Sequence, residues 1–371
     1  MKKIILFLIT NLKHGGAEKV LVNLVNNVNP EKYDVTVQTI FDVGVHRDGL
    51  KPQVRYVPGL KYEFRGYSHL FKLFSPKFLY RHLVREHYDI VVAYLEGVAA
   101  RIISGCSSPG TKKICWLHTE FMHPQAAAIG FRSISEAQKS YGAFDRIVTV
   151  SKRVQDQFLC NVGQSVPVSV LYNTNETEQI LERSAENPEK ANFQPDQLSV
   201  CAIGRLNEVK GFDRLLNAHL RLQSEGIAHR VFILGTGEDK VKLTKAAKLS
   251  GAEDSFRMLG FCENPYAILS RCDLFICSSR REGFSTAVTE SLIVGTPVVS
   301  TDCSGARELL GEHDEYGIVV ENSEEGIYQG MKRMLSDPEL LAHYKKQAKL
   351  RGSFFSRTET VRAVEEMLDS L

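Results

Sequence analysis

Residues 4–10 read Ile-Ile-Leu-Phe-Leu-Ile-Thr, apolar until the last position. A strand with one wet face alternates apolar and polar residues, whereas an unbroken apolar run marks a strand buried on both faces of a parallel sheet. Past Gly15-Gly16 the period changes. Ala17, Val20, Leu21, Leu24, Val25 and Val28 stand at i, i+3, i+4, i+7, i+8 and i+11, which is the stripe of an amphipathic helix. The alternation then repeats, with strands expected at residues 35–41, 90–95, 113–117 and 146–150. Ser151 follows as the N-cap of a helix through Leu159. Neighbouring parallel strands must be joined by crossovers, so this pattern restricts the chain to a doubly wound α/β fold.

A second series begins after Tyr172. The polar stretch 173–197, with Pro188 and Pro195, reads as a boundary. Strands are expected beyond it at 199–203, 230–234, 256–259, 274–277, 297–300 and 317–320, and helices at 212–222, 287–294 and 324–335. A single core stops growing at roughly 250–300 residues, and the chain has 371. The expected organisation is therefore two facing Rossmann-like domains, residues 1–172 and 173–352. A last helix, 353–371, is expected to cross back to the first domain.

Several classes fall away. No apolar run approaches the ~20 residues of a membrane-spanning helix. Lys2-Lys3 precede only six apolar residues, short of the ~7–15 of a secretory signal, so that segment reads as the first strand. The eight cysteines (106, 115, 160, 201, 262, 272, 277 and 303) form no C-x-x-C and no zinc spacing, and read as reduced thiols in a cytoplasmic protein. The net charge of +2 hides an asymmetry. Residues 1–172 carry 22 Lys and Arg against 13 Asp and Glu, a net of +9, and the remainder carries 24 against 31, a net of −7. The first half is thus suited to an anionic surface or partner. No nucleic-acid-reading motif accompanies the charge, and no nucleic-acid partner is expected.

Two loops carry cues to chemistry. In Arg280-Arg281-Glu282-Gly283-Phe284-Ser285-Thr286-Ala287-Val288-Thr289-Glu290, Ser285 or Thr286 can cap a helix whose first N–H groups would receive an anion. Glu290, one turn in, is positioned to accept hydrogen bonds from a diol, and Glu282 to do so for a sugar. In Gly204-Arg205-Leu206-Asn207-Glu208-Val209-Lys210-Gly211, a glycine admits close backbone approach. Arg205 and Lys210 supply two cations suited to a diphosphate. A loop pair of solvated charges would look the same at this level. Neither Lys13-His14-Gly15-Gly16 nor Gly235-Thr236-Gly237 has the G-x-G-x-x-G spacing of a dinucleotide fold, which weighs against a dehydrogenase.

Together these segments resemble the retaining glycosyltransferases of GT-B architecture, the group called family 4, over essentially the whole chain. The matching residues are Gly15-Gly16, Gly204-Arg205…Lys210-Gly211, and Glu282-Gly283-Phe284…Glu290 followed by Gly295-Thr296-Pro297-Val298. The resemblance implies that Arg205 and Lys210 neutralise a donor diphosphate, that Glu290 holds the nucleotide ribose, and that Glu282 orients the donor sugar. Phe284, Ser285 and Thr286 would line the donor, with Gly204 beside them. Gly16 would approach the diphosphate from the other domain, and His118 would stand near sugar and acceptor. The donor is expected to be a UDP-sugar, with GDP-mannose as its rival. The chain contains no Asp-x-Asp, and the resemblance implies catalysis with neither metal nor other cofactor.

The segment 61–87 interleaves Lys72, Lys77, Arg81 and Arg85 with aromatic residues. It suggests a lipid-linked acceptor or an anionic membrane, with the protein peripheral at the inner face of the cell membrane, although a core-packing helix with a solvated basic face would have the same composition. A hydrolase or epimerase of nucleotide sugars, and a non-catalytic partner subunit of another transferase, stay open at this point.

Overall fold

The computed structural model describes residues 2–13, 15–188 and 191–371. Two sheets, parallel throughout, organise it. The first contains β1 (Lys3–Ile9), β2 (Tyr33–Thr39), β3 (Arg55–Val57), β4 (Ile90–Ala93), β5 (Lys112–Leu117), β6 (Arg146–Thr149) and β7 (Val168–Val170), in the order β3-β2-β1-β4-β5-β6-β7. β1 lies inside it between β2 and β4, with Ile5 opposite Val35 on one side and Ile90 on the other. Residues Ile5 to Ile9 are buried, as the unbroken apolar run requires.

The second sheet contains β8 (Leu198–Ile203), β9 (His229–Leu234), β10 (Phe256–Gly260), β11 (Leu274–Cys277), β12 (Val298–Thr301) and β13 (Ile318–Val320), in the order β10-β9-β8-β11-β12-β13. Its core gathers Val200, Ala202, Val231, Ile233, Leu274 and Ile276 from the strands with Leu215, Leu222 and Met331 from flanking helices. In each sheet the strand order reverses beside the first strand, between β1 and β4 and between β8 and β11. Doubly wound sheets bind ligands at the carboxyl ends of the strands flanking such a switch.

The chain divides into two compact units. One contains the residues up to Asn175 together with Arg357–Leu371, and the other is Glu176–Ser356. The stretch 173–197 is more than a connector. It holds the helix Thr177–Ser184, whose Ile180 packs on Tyr266 and Ile293 of the second unit. The helix Pro338–Phe354 runs past residue 352, so the chain passes between units at Ser356. The Arg357–Asp369 helix closes the first unit. Lys3 Nζ donates to Leu368 O at 2.7 Å, Tyr33 Oη to Asp369 Oδ1 at 2.6 Å, and the Asn29 N–H to Glu365 Oε1 at 2.7 Å. No helix among the described residues is long and apolar enough to cross a membrane.

Candidate functional site

In the second unit the two loops singled out by the sequence leave β8 and β11, either side of the switch. The loop after β8 folds on itself because the Asn207 side chain accepts the Lys210 N–H at 3.3 Å, closing the short 3-10 turn Glu208–Lys210. Gly211 follows with φ +65°, and a Cβ there would fall 2.1 Å from Ser278 O, so only glycine fits. The loop after β11 is laced to it. Ser278 Oγ donates to Lys210 O at 2.8 Å, the Arg280 N–H to Val209 O at 2.7 Å, and Arg214 to Ser278 O at 2.7 Å. Arg280 also donates to both Asp213 carboxylate oxygens, at 2.9 and 2.7 Å, and to Glu208 O at 2.6 Å.

That lacing brings Lys210 Nζ to 2.5 Å from Glu282 Oε1, and Ser279 Oγ donates to the same oxygen at 2.7 Å. Burial works to depress the Lys210 ammonium, but the neighbouring Glu282 charge overrides it and holds the group above the ordinary lysine value. Lys210 is therefore a fixed cation in a largely dry position. Gly204 packs beneath its stem, with a hypothetical Cβ 3.2 Å from Lys210 Cδ and Cε. Arg205 projects from the same loop into solvent, 3.4 Å from the equally exposed Glu238.

Of the two capping candidates it is Ser285 that caps the helix Thr286–Val294, its Oγ accepting the Val288 N–H at 3.4 Å. Thr286 is the first helical residue. Phe284 is buried edge-on to Phe355. Glu290 is only 4% exposed, which excludes a solvated helix glutamate, and Tyr266 Oη donates to its Oε1 at 3.3 Å. Ser279 and Tyr266 thus hold the two glutamates. Sequence reasoning missed both, since neither belongs to a recognisable spacing; Ser279, three residues before Glu282, was the more discoverable.

In the first unit Gly15 is the N-cap of the helix Gly16–Val25 and brings no side chain to its first N–H groups. A Cβ at Gly15 would sit 2.0 Å from Glu18 Oε2, so glycine is required for that carboxylate to fold back over the loop. Gly16 is exposed, and position 14 lies outside the described residues. His118 follows β5 at 8% exposure. Its N–H donates to Glu96 Oε2 at 3.0 Å and the Thr119 hydroxyl to Glu96 Oε1 at 2.6 Å, so Glu96, another residue the sequence did not single out, fixes this corner. The ring packs on Tyr94 at 4.8 Å. Burial pushes the imidazole down to about 3, which keeps it neutral, and its Nε2 has no hydrogen-bond partner among the described residues.

Lys72 ends the helix Tyr67–Lys72 and is half-buried. Lys77 and Arg81 are exposed on the helix Pro76–Leu83, and Arg85 lies exposed just beyond it. Among the described residues no group of three or more His, Cys, Asp or Glu is arranged to hold a metal ion.

Two family descriptions match the chain nearly end to end: Glycosyltransferase Family 4 over residues 14–179 and Glycosyl transferases group 1 over residues 183–351. A relative from Campylobacter jejuni, the N-acetylgalactosamine-N,N'-diacetylbacillosaminyl-diphospho-undecaprenol 4-alpha-N-acetylgalactosaminyltransferase, is 36% identical over 52% of this chain and 51% of its own. The match thus spans about half of that relative's length. An uncharacterized glycosyltransferase from Haemophilus influenzae is 24% identical over 94% of this chain and 95% of its own. Among solved structures, Anabaena HepE in complex with UDP superposes with a TM-score of 0.77 at 20% identity, covering 100% of both chains. With two doubly wound parallel sheets, the paired glutamates and the basic loop in place, the chain belongs to the GT-B glycosyltransferases of the family 4 type.

Proposed function

We propose that this protein transfers a hexose or N-acetylhexosamine from a nucleoside diphosphate sugar, with uridine as the base, to a lipid-linked saccharide in surface polysaccharide or glycoconjugate assembly. The anomeric configuration is retained and no metal ion takes part. The observation that carries the reading is the Lys210–Glu282 pair at the carboxyl ends of β8 and β11. The Campylobacter relative, whose name specifies a diphospho-undecaprenol-linked acceptor, supports the lipid-linked saccharide, and HepE's complex with UDP supports the base.

Cleaving the bond between sugar and phosphate builds negative charge on the diphosphate and positive charge at the anomeric carbon. A cation already desolvated and held in place stabilises the leaving group without reorganisation. In this reading Lys210 and Arg205 do that work together with the N-terminus of the Thr286–Val294 helix. Glu282 orients the sugar hydroxyls and Glu290 accepts from the ribose. In the first unit, Gly16 is assigned to the diphosphate. The neutral His118, with Nε2 uncommitted, is assigned to a hydroxyl of the sugar or acceptor. No carboxylate takes the part of a covalent nucleophile.

The test is a thermal-shift screen against UDP, GDP, ADP, dTDP and CMP in EDTA, followed by product analysis with the matching labelled donor and an undecaprenyl-diphosphate saccharide. A ligand at ~100 Kd stabilises by about 2.7 kcal/mol, so UDP alone should raise the melting temperature. A shift with GDP alone would reassign the donor, and activity abolished by EDTA and restored by Mg²⁺ would remove the metal-free mechanism.

A further inference from the structure

The turn joining the helices Tyr67–Lys72 and Pro76–Leu83 is pinned in an unusual way. Arg101, 0% exposed, donates to Phe71 O and Phe74 O, each at 2.7 Å, and to Glu136 Oε1 at 2.9 Å. Arg132 donates to Lys72 O at 2.5 Å and Leu73 O at 3.0 Å, and its N–H to Glu136 Oε2 at 2.6 Å. Two guanidinium groups from elsewhere in the unit thus take four consecutive carbonyls, 71 to 74. With those carbonyls taken, Phe71 is buried while the side chains at the tip of the turn stay outside. Leu73 is 72% exposed, and Leu70, Phe74 and Phe78 are exposed beside it, Phe74 and Phe78 stacked at 5.1 Å.

Ordinary packing would bury such residues, and a contiguous apolar patch on a rigid mount marks a contact surface. Its rim is cationic. Lys72, Lys77, Arg81 and Arg85 have no ion-pair partner among the described residues. The two acidic residues of the segment are engaged, Glu63 with Lys13 and Glu86 with Arg55. On the helix Pro76–Leu83 the apolar Leu79 and Tyr80 face inward, so Lys77, Phe78 and Arg81 share the outer side.

We propose that this surface docks on an anionic phospholipid membrane, with the Leu73–Phe74 tip entering the interface and Lys72, Lys77, Arg81 and Arg85 resting among the headgroups. The chemistry favours a bilayer over the alternatives. A nucleic acid would match the cations but leave four apolar side chains against phosphate. A second copy meeting the same patch in a two-fold contact would bring unpaired cations onto themselves. A lipid interface accepts the apolar tip and the cations at once, the long side chains reaching the headgroup level. The proposal deepens the lipid-linked-acceptor reading, because it sets the first unit on the surface in which such an acceptor is anchored.

Full-length protein is co-sedimented with vesicles of phosphatidylcholine alone and of phosphatidylcholine mixed with phosphatidylglycerol, at low and high salt. Binding is expected to the mixed vesicles, weakened by salt. Lys77→Gln and Arg81→Gln should each weaken it about fivefold, the effect of removing one cation near an anionic surface. Leu73→Asp combined with Phe74→Asp should weaken it at least tenfold at either salt concentration. Failure of wild-type protein to bind, or undiminished binding by the tip variant, would overturn the proposal. So would a dimer, in sedimentation velocity, that the tip variant dissociates. A UDP thermal shift on the same samples separates the two readings. The tip variant should keep the shift, and vesicle binding without any nucleotide shift would sink the donor assignment while leaving the membrane surface standing.

Discussion

Lys210 and Glu282 are 72 residues apart in the chain and form one ion pair in the fold, so each is the other's solvation. Lys210→Met should lower kcat by about 10²–10³, the loss seen when one preorganised electrostatic contact to a developing charge is removed. It should also strand the Glu282 carboxylate, at a cost of about 1–3 kcal/mol. The double variant Lys210→Met, Glu282→Gln should therefore unfold at a higher urea midpoint than Lys210→Met alone; a further drop would mean the two side chains act independently. Arg101 carries a heavier penalty. Arg101→Met removes a fully buried charge from Glu136 and two carbonyls, and should destabilise by about 3–5 kcal/mol, measured by urea unfolding. At this scale the sequence was only partly legible. Glu282 and Glu290 stand at a recognisable spacing, and Lys210 in a recognisable loop. That Lys210 and Glu282 bind one another, or that Arg101 holds a turn 30 residues before it, depends on contacts no local pattern encodes.

Between elements, the helix Phe212–Ser224, β9 and the turn before β10 share a buried polar chain. His229 Nδ1 is 2.9 Å from Ile227 O, a carbonyl that only accepts, so Nδ1 carries the proton and Nε2 accepts. His219 Nδ1 must then donate across 2.9 Å to His229 Nε2, which leaves its Nε2 to accept from Ser255 Oγ at 2.9 Å. A second proton on His229 would set donor against donor at His219 Nδ1. One on His219 Nε2 would turn the Ser255 hydroxyl to accept and to donate to Ala252 O, 3.4 Å away, so there it is burial that opposes the charge. Burial lowers both imidazoles, His219 to about 3. A group whose folded pKa lies below its unfolded value contributes stability above the unfolded value and loses it as pH falls towards the folded one. Stability should thus be level above pH ~6.5 and fall below it, by about 2 kcal/mol for His219 alone at pH 5. Urea midpoints at pH 7.5 and 5 test this, and replacing both histidines by glutamine should shrink the difference to the share that the buried His118 contributes in the first unit; an unchanged difference would place its origin elsewhere.

The elements themselves were largely visible in the chain, because stretches buried on both faces of a sheet must be apolar, as β11 is throughout and β1 is beyond Lys3. β3 and β7 were not. Each is three residues long at a sheet edge and half-exposed, so Arg55 or Ser169 fits without an apolar run. The helix Thr177–Ser184 was hidden likewise, since it buries little beyond Ile180.

For the whole molecule, the crossing at Ser356 matters most. Ending the chain there would remove the buried Val361, Val364, Met367 and Leu368, each worth about 1.5–3 kcal/mol as an upper bound. The loss should fall on the first unit only. Limited proteolysis of the shortened chain is expected to cut within residues 2–175 while the second unit resists; equal digestion of both units would show that the last helix serves the molecule as a whole.

The same helix sets an order on biosynthesis. Domains usually fold as they emerge from the ribosome, amino-terminal first. Here Asp369, which caps the contact to Tyr33, is made 336 residues after it. The sheet that is translated first must wait, with one flank uncovered, while the later unit has all of its own residues in hand. The half that begins the chain is the half that finishes last, and during that interval its apolar flank is the surface a nascent-chain chaperone would meet.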